Sequence, residues 1–197
     1  MRAPKPFVIG LTGSIGMGKS ETARLFAEQG VPVFDADAAI HALYAAEAAP
    51  MIEAAFPGST RNGAVDRAAL ARVVMSQAGG LQRLEDLMHP LVADLRTQFL
   101  ADNPVPVVVL DIPLLLETGT AVDAVVVATA PADVQRARVM ARSGMTEAKF
   151  AALLARQMSD MEKRAQAHYL VITDKGLDHA REQVKMILAD IRAKRSA

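Results

Sequence analysis

The stretch Gly13-Ser14-Ile15-Gly16-Met17-Gly18-Lys19-Ser20 matches the pattern G-x-x-x-x-G-K-[ST] at every position. It follows a short apolar run, Val8, Ile9 and Leu11, that reads as a strand buried on both faces. A helical pattern begins at Lys19, runs to about Glu28 and is closed by Gly30. Few folds place a glycine-rich loop between a buried strand and a helix. The glycines let backbone N–H groups curl toward a phosphate, and the positive end of the following helix faces the same point. Lys19 is expected to reach the β- and γ-phosphates, and the Ser20 hydroxyl to ligate Mg²⁺. A glycine-rich turn ahead of an ordinary helix would give the same letters, but the strand before and the helix after favour a nucleoside triphosphate site.

The rest of the chain extends the same alternation. Val31, Val33 and Phe34 form a second strand ending at Asp35-Ala36-Asp37, Val105–Leu110 a third, Val122–Thr129 a fourth and Tyr169–Thr173 a fifth. Residues 36–103 are largely helical by pattern, interrupted by a loop or turn at Pro57–Gly63. Asp66 is placed to cap the next helix, and Gly79-Gly80 to end it. Pro131 and Asp133 open a helix through Arg142 that Ser143-Gly144 stops. Thr146 begins a helical stretch to about Ala167, and Leu177–Lys194 is the closing helix. Strands alternating with helices predict a parallel sheet flanked by helices on both sides, and the long helical stretch reads as an inserted lobe. At roughly 150 residues per domain, the 197 residues form one domain.

Composition narrows the chemistry. With no cysteine, the chain has neither disulfide framework nor thiolate nucleophile. Its 22 basic and 22 acidic side chains argue against a surface built to coat nucleic acid or anionic membrane. No run is apolar enough to span a bilayer, and no signal-peptide pattern opens the chain, so a cytoplasmic protein is expected. His41, His168 and His179 are too scattered to suggest a metal site.

Three uses of the triphosphate compete: a small-molecule kinase, a GTPase-type switch and a mechanical ATPase. Thr173-Asp174-Lys175-Gly176 lacks the asparagine and order of a guanine reader, and the chain is small for a motor. A kinase needs an acceptor-activating carboxylate and cations over the phosphates. Asp35 and Asp37, at the end of the second strand, supply carboxylates that either orient an acceptor hydroxyl or cap the next helix. Asp111, at the end of the third strand, occupies the place of a Mg²⁺-holding carboxylate, or caps the strand end before Pro113. Residues 131–166 carry Arg136, Arg138, Arg142, Lys149, Arg156, Lys163 and Arg164, which either neutralise phosphate charge or form a solvated face.

Taken in order, the motifs resemble those of the dephospho-CoA kinases. They are Leu11–Ser20, Phe34-Asp35-Ala36-Asp37, Asn62–Arg67 with Leu70, Leu84-Glu85 with His89-Pro90, and Asp111-Ile112-Pro113-Leu114-Leu115-Leu116-Glu117. Gln135 with Arg138 and Arg142, Arg156-Gln157-Met158-Ser159 and Lys163 complete the set. The resemblance implies an α/β P-loop kinase fold, a five-stranded parallel sheet flanked by helices, with a helical substrate lobe and a lid. The core would be 7–37, 104–135 and 167–197, the CoA-binding lobe about 38–103 and the lid about 136–166. It implies ATP and Mg²⁺, and transfer of the γ-phosphoryl group to the ribose 3′-hydroxyl of dephospho-CoA. Nucleotide contacts would come from Gly13, Ser14, Ile15, Gly16, Met17, Gly18, Lys19, Ser20, Glu21 and Thr173. Lys19, Asp37, Arg138 and Arg142 would be catalytic, Ser20 and Asp111 would hold the metal, and Asp37, His89, Pro113 and Leu114 would meet the acceptor. His89 otherwise closes a helix turn. The expected partners are ATP and dephospho-CoA, with neither nucleic acid nor membrane, and the chain is expected to act as a monomer, weak self-association aside.

The sequence departs from the family at Ser14 and Met17, where glycine and a small residue are usual, and at Glu21, where threonine is. Met17 is expected to put bulk at the loop's outer edge, and Glu21 to disfavour phosphate unless it points away. His168 and Thr173 replace the family's aspartate and asparagine around the fifth strand.

Overall fold

A computed structural model describes residues 5–45 and 47–196. The chain divides into two compact units, one running through Phe34 and resuming at Asn103, the other Asp35–Asp102. The stretch expected as a lid falls within the first unit.

The first unit is built on a five-stranded sheet of β1 (Phe7–Thr12), β2 (Val33–Asp35), β5 (Val107–Asp111), β6 (Ala124–Thr129) and β7 (Tyr169–Ile172), ordered β2-β5-β1-β6-β7. β1 lies parallel to β5 on one side and to β6 on the other, and β7 parallel to β6. Every residue of β5 and β6 is buried, as helices on both faces require. Alternate residues divide between the faces. Ile9, Leu11, Val107, Val109 and Val126 pack with Leu25 and Phe26 of α1 (Lys19–Glu28) and with Val184, Leu188 and Ile191 of α9 (Leu177–Ser196). Val125 and Val127 face Leu115, with Ile112, Val122 and Leu170 packed around them. β1 sits at the centre with neighbours reached by opposite crossovers, the switch point at which open α/β sheets bind ligands beyond the strand ends.

The stretch after β6 holds α6 (Ala132–Met140), α7 (Glu147–Leu154) and α8 (Asp160–Ala165). The single helix expected from Thr146 to Ala167 is two. α7 is capped by the Thr146 hydroxyl, and α8 by a full capping box in which Ser159 and Glu162 exchange bonds with each other's backbone N–H. A second cap inside one apparent helix enforces a break at 155–159.

The second unit comprises α2 (Ala36–Ala45), α3 (Ala49–Ala55), β3 (Thr60–Arg61), β4 (Ala64–Val65), α4 (Arg67–Ser76) and α5 (Gly80–Asp102), with a core of Leu43, Ile52, Phe56, Leu70, Val74 and Met88. The stretch read as a loop or turn, Pro57–Gly63, holds β3 and the turn of a short hairpin whose second strand, β4, follows it. Asn62 and Gly63 both have positive φ, 53° and 78°, the geometry of the two-residue turn that the Asn-Gly pair favours. Asp66 caps α4 as expected, accepting from the N–H groups of Ala68 and Ala69. Gly79 lies in the turn, whereas Gly80 opens α5 instead of ending the preceding helix. Pro90 lies inside α5 and has no N–H for the turn before it, yet the helix runs 23 residues.

Candidate active site

Strand register sets the geometry. Leu11 of β1 is paired with Asp111, the last residue of β5, so the loop leaving β1 starts beside that carboxylate. Lys19, the first residue of α1, closes the loop with its Nζ 2.6 Å from Asp111 Oδ1; the side chains are 16% and 4% exposed. Asp111 thus faces the lysine that closes the phosphate loop. Gly18 has φ 88°, and a Cβ there would stand 2.9–3.0 Å from the Thr173 side chain, so residue 18 has neither the backbone freedom nor the room for a side chain. Ser14 keeps a negative φ and is buried, its hydroxyl 3.5 Å from Met158 O.

Met17 corrects the expectation of bulk at the outer edge. It is 2% exposed, and its Sδ accepts from the Ala130 N–H at 3.2 Å. The turn made by Met17 N–H on Ser14 O folds the residue inward, and the flexible thioether fills the gap while giving a buried N–H an acceptor. Ser20 is exposed at the start of α1. Glu21 is exposed and held by Arg24, with Nη2 2.9 Å from Oε2, so its charge is directed along the helix to a cation.

Thr173 and Arg138 meet on the loop. The Thr173 hydroxyl donates to Met17 O at 2.9 Å; Arg138 donates to that hydroxyl at 2.9 Å, to Thr173 O at 2.7 Å and to Gly16 O at 3.4 Å. Buried Gln135 donates from Nε2 to Ile15 O at 2.8 Å. Arg142 is exposed beyond the end of α6, and no hydrogen bond or ion pair among the described residues engages its guanidinium. The remaining cations of 131–166 divide. Arg136 pairs with Glu147, Lys149 donates to Gly144 O, and Lys163 is fully buried on Glu117, neither lid cation nor solvated face. Arg156 and Arg164 are exposed.

In the second unit, Asp35 Oδ1 accepts from Ala38 N–H at 2.9 Å and so caps α2. Asp37 stands in the first turn of α2, exposed, with no hydrogen bond or ion pair among the described residues. His89 is exposed on α5, which continues past it, so it does not close a helix turn. In the first unit, Pro113 O accepts from Thr12 Oγ1 at 2.9 Å, and Leu114 is 38% exposed in the turn after β5.

The model of the dephospho-CoA kinase family matches residues 7–179. The chain belongs to the dephospho-CoA kinase family. It is 57% identical over 187 residues to a dephospho-CoA kinase of Rhodopseudomonas palustris, the match covering 92% of this chain and 94% of that one. A crystal structure from Thermus thermophilus is similar with a TM-score of 0.84 and 35% identity, covering 95% of this chain and 98% of its own. The dephospho-CoA kinase of Campylobacter jejuni shares the fold at a TM-score of 0.66 and 21% identity, covering 95% and 98%. The family is one of kinases with the P-loop fold, and the sheet and phosphate loop described above are that fold's nucleotide-binding core.

Against this family, two departures gain a local explanation. His168 stands where aspartate is usual, and its Nδ1 accepts from Val125 N–H at 3.1 Å, an acceptor role a carboxylate also fills. Thr173, in place of asparagine, braces the loop at Met17. Gln157 and Met158, read only as part of a family motif and given no role, reach the loop at Ile15 and Ser14; the pattern Ser159-x-x-Glu162 was the signal that a new helix starts just after them.

Proposed function

We propose that this chain transfers the γ-phosphoryl group of ATP directly to the 3′-hydroxyl of the dephospho-CoA ribose, in line and without a phosphoenzyme. The observation that carries the reading is Lys19 Nζ at 2.6 Å from Asp111 Oδ1 at the mouth of the phosphate loop, within a chain of this family. The loop's N–H groups and Lys19 bind the phosphates, and a cation so placed stabilises charge that builds on the transferring group. The hydroxyl of Ser20 and the carboxylate of Asp111 are hard oxygen donors that suit Mg²⁺, a metal that takes its other ligands from phosphates and water. Bound there, Mg²⁺ would neutralise phosphate charge.

Asp37 is proposed to accept or orient the 3′-hydroxyl proton. Its support is that Asp35 already caps α2, which leaves the Asp37 carboxylate without a hydrogen bond or ion pair among the described residues. Arg142 is the exposed lid cation, and Arg138 shapes the loop through Thr173. Residues 38–103 would hold the acceptor, with contributions from His89, Pro113 and Leu114, and 136–166 would act as the lid. We place the protein in the cytoplasm as a monomer that engages neither nucleic acid nor membrane; among the described residues no helix is long and apolar enough to cross a membrane.

An ADP-release assay with candidate acceptors tests the reading. Turnover with dephospho-CoA and none with AMP, CMP or shikimate is expected. Turnover with one of those acceptors alone makes it a different small-molecule kinase, and tight nucleotide binding with no acceptor turned over makes it a switch.

A further inference from the structure

Lys163 is the one lysine among the described residues with no exposed surface. Burying an ammonium costs several kcal/mol before its contacts repay it, and an apolar side chain of similar volume usually serves stability as well. Its contacts explain what the charge does there. Nζ lies 2.8 Å from Glu117 Oε1 and 3.4 Å from Pro113 O. Each of those acceptors has a second donor near the phosphate loop. Pro113 O accepts from the hydroxyl of Thr12, the residue before Gly13. Glu117 Oε1 accepts from Met158 N–H at 2.8 Å, while Met158 O faces the Ser14 hydroxyl at 3.5 Å. Next along the chain, Gln157 Oε1 accepts from Ile15 N–H at 3.0 Å. The bonds close a ring that starts at Thr12, passes through Pro113, Lys163, Glu117 and the 157–158 backbone, and returns to the loop at Ser14 and Ile15.

The same segment is pinned from a second direction. Asp160 Oδ2 accepts from Thr129 Oγ1, at the end of β6, at 2.8 Å. Burial pushes the Glu117 carboxyl up, but the Lys163 ammonium and the Met158 N–H more than reverse this and hold it below the usual glutamate range. Glu117 is therefore ionised near neutral pH, and the ring contains a real ion pair.

We propose that Lys163 is a positioning residue for phosphoryl transfer: by clamping Glu117 and Pro113 it fixes the 157–158 strap against the first half of the phosphate loop, and so sets the backbone of Gly13–Ile15 that receives ATP. It touches neither substrate nor metal and acts through Glu117 and Gln157. The inference rests on the nucleotide-binding part of the proposed function and is independent of which acceptor is used.

The test separates positioning from stability. Lys163→Met alone strands the Glu117 carboxylate and is expected to destabilise the fold. The double variant Lys163→Met/Glu117→Leu removes both charges and is expected to melt at or above the wild-type temperature. In the double variant, kcat/KM for ATP should fall about tenfold or more. Calorimetric affinity for ATP should weaken with it, while KM for dephospho-CoA stays within about twofold of wild type. Gln157→Ala, which leaves the buried pair intact, should reproduce the weaker ATP binding in a fully folded protein. Wild-type ATP affinity and kcat/KM in a folded double variant overturn the proposal. Should the double variant not fold, unchanged ATP affinity in Gln157→Ala overturns it. A wild-type chain that binds ATP but does not phosphorylate dephospho-CoA would remove the acceptor assignment, and the calorimetric comparison would still decide the role of Lys163.

Discussion

At the scale of single residues, chemistry here depends on which charges are already occupied. Lys19 is paired with a buried carboxylate, whereas Asp37 and Arg142 have no partner among the described residues. That contrast separates their expected mutant phenotypes. Lys19→Ala should lower kcat by about 10²- to 10³-fold, the loss typical of removing one donor to a charged transition state. It removes the ammonium that faces the buried Asp111 carboxylate, so far-UV circular dichroism should accompany the kinetics to show that the chain is folded. Asp37→Asn removes a base and keeps the shape; kcat should fall about 10²-fold with ATP affinity unchanged. An unchanged kcat would make Asp37 an ordinary first-turn acid of α2. Lys19 is legible in the sequence alone, because a lysine that closes a glycine loop ahead of a helix has a defined job. Asp37 is legible as a candidate from its place at the end of the second strand. The inward turn of Met17 was not legible, since a side chain's direction depends on what lies beside the loop, in this case the Ala130 N–H.

At the scale of elements, caps decide where helices begin, and one of them gives a pH-dependent prediction. Asp66 accepts the N–H groups of Ala69 and Ala68, and these bonds outweigh desolvation and hold its pKa below the ordinary value of 3.8. A depressed pKa means the native state favours the ionised form. The cap's contribution is therefore complete above the unfolded-state pKa and is lost as pH falls through the folded one. Asp66→Asn should consequently melt closer to wild type at pH 3 than at pH 7, and a constant gap between the two melting curves would remove the ionised cap from the account. The Asp66 cap and the buried strands were readable from the sequence. The split of 146–167 into α7 and α8 was harder, because helical periodicity continues across a break that only the Ser159–Glu162 box marks. The β3–β4 hairpin hid behind its shortness, two residues a side around a turn pair.

At the scale of the whole molecule, the even charge balance conceals a specialised distribution. Of the seven basic residues in 131–166, Lys163, Arg136, Arg138 and Lys149 are engaged inside the fold or by near neighbours, and Arg142, Arg156 and Arg164 remain exposed without side-chain partners among the described residues. Nucleotide binding should therefore add strongly to stability. A ligand at about a hundredfold excess over its Kd adds about 2.7 kcal/mol, so Mg²⁺ with ATP should raise the melting temperature by several degrees. The shift should shrink in Arg142→Ala and in Lys19→Ala; a full shift in both would move the phosphate site away from them. The sequence by itself determined the alternation of strands and helices, the phosphate loop and the family, because these rest on local periodicity, on backbone freedom at glycine and on residue types in fixed order. Only the tertiary structure decided which charges are spent. Whether Lys163 faces water or Glu117, and whether Arg138 reaches outward or grips Thr173, depends on contacts 46 and 35 residues apart in the chain, which no local pattern encodes.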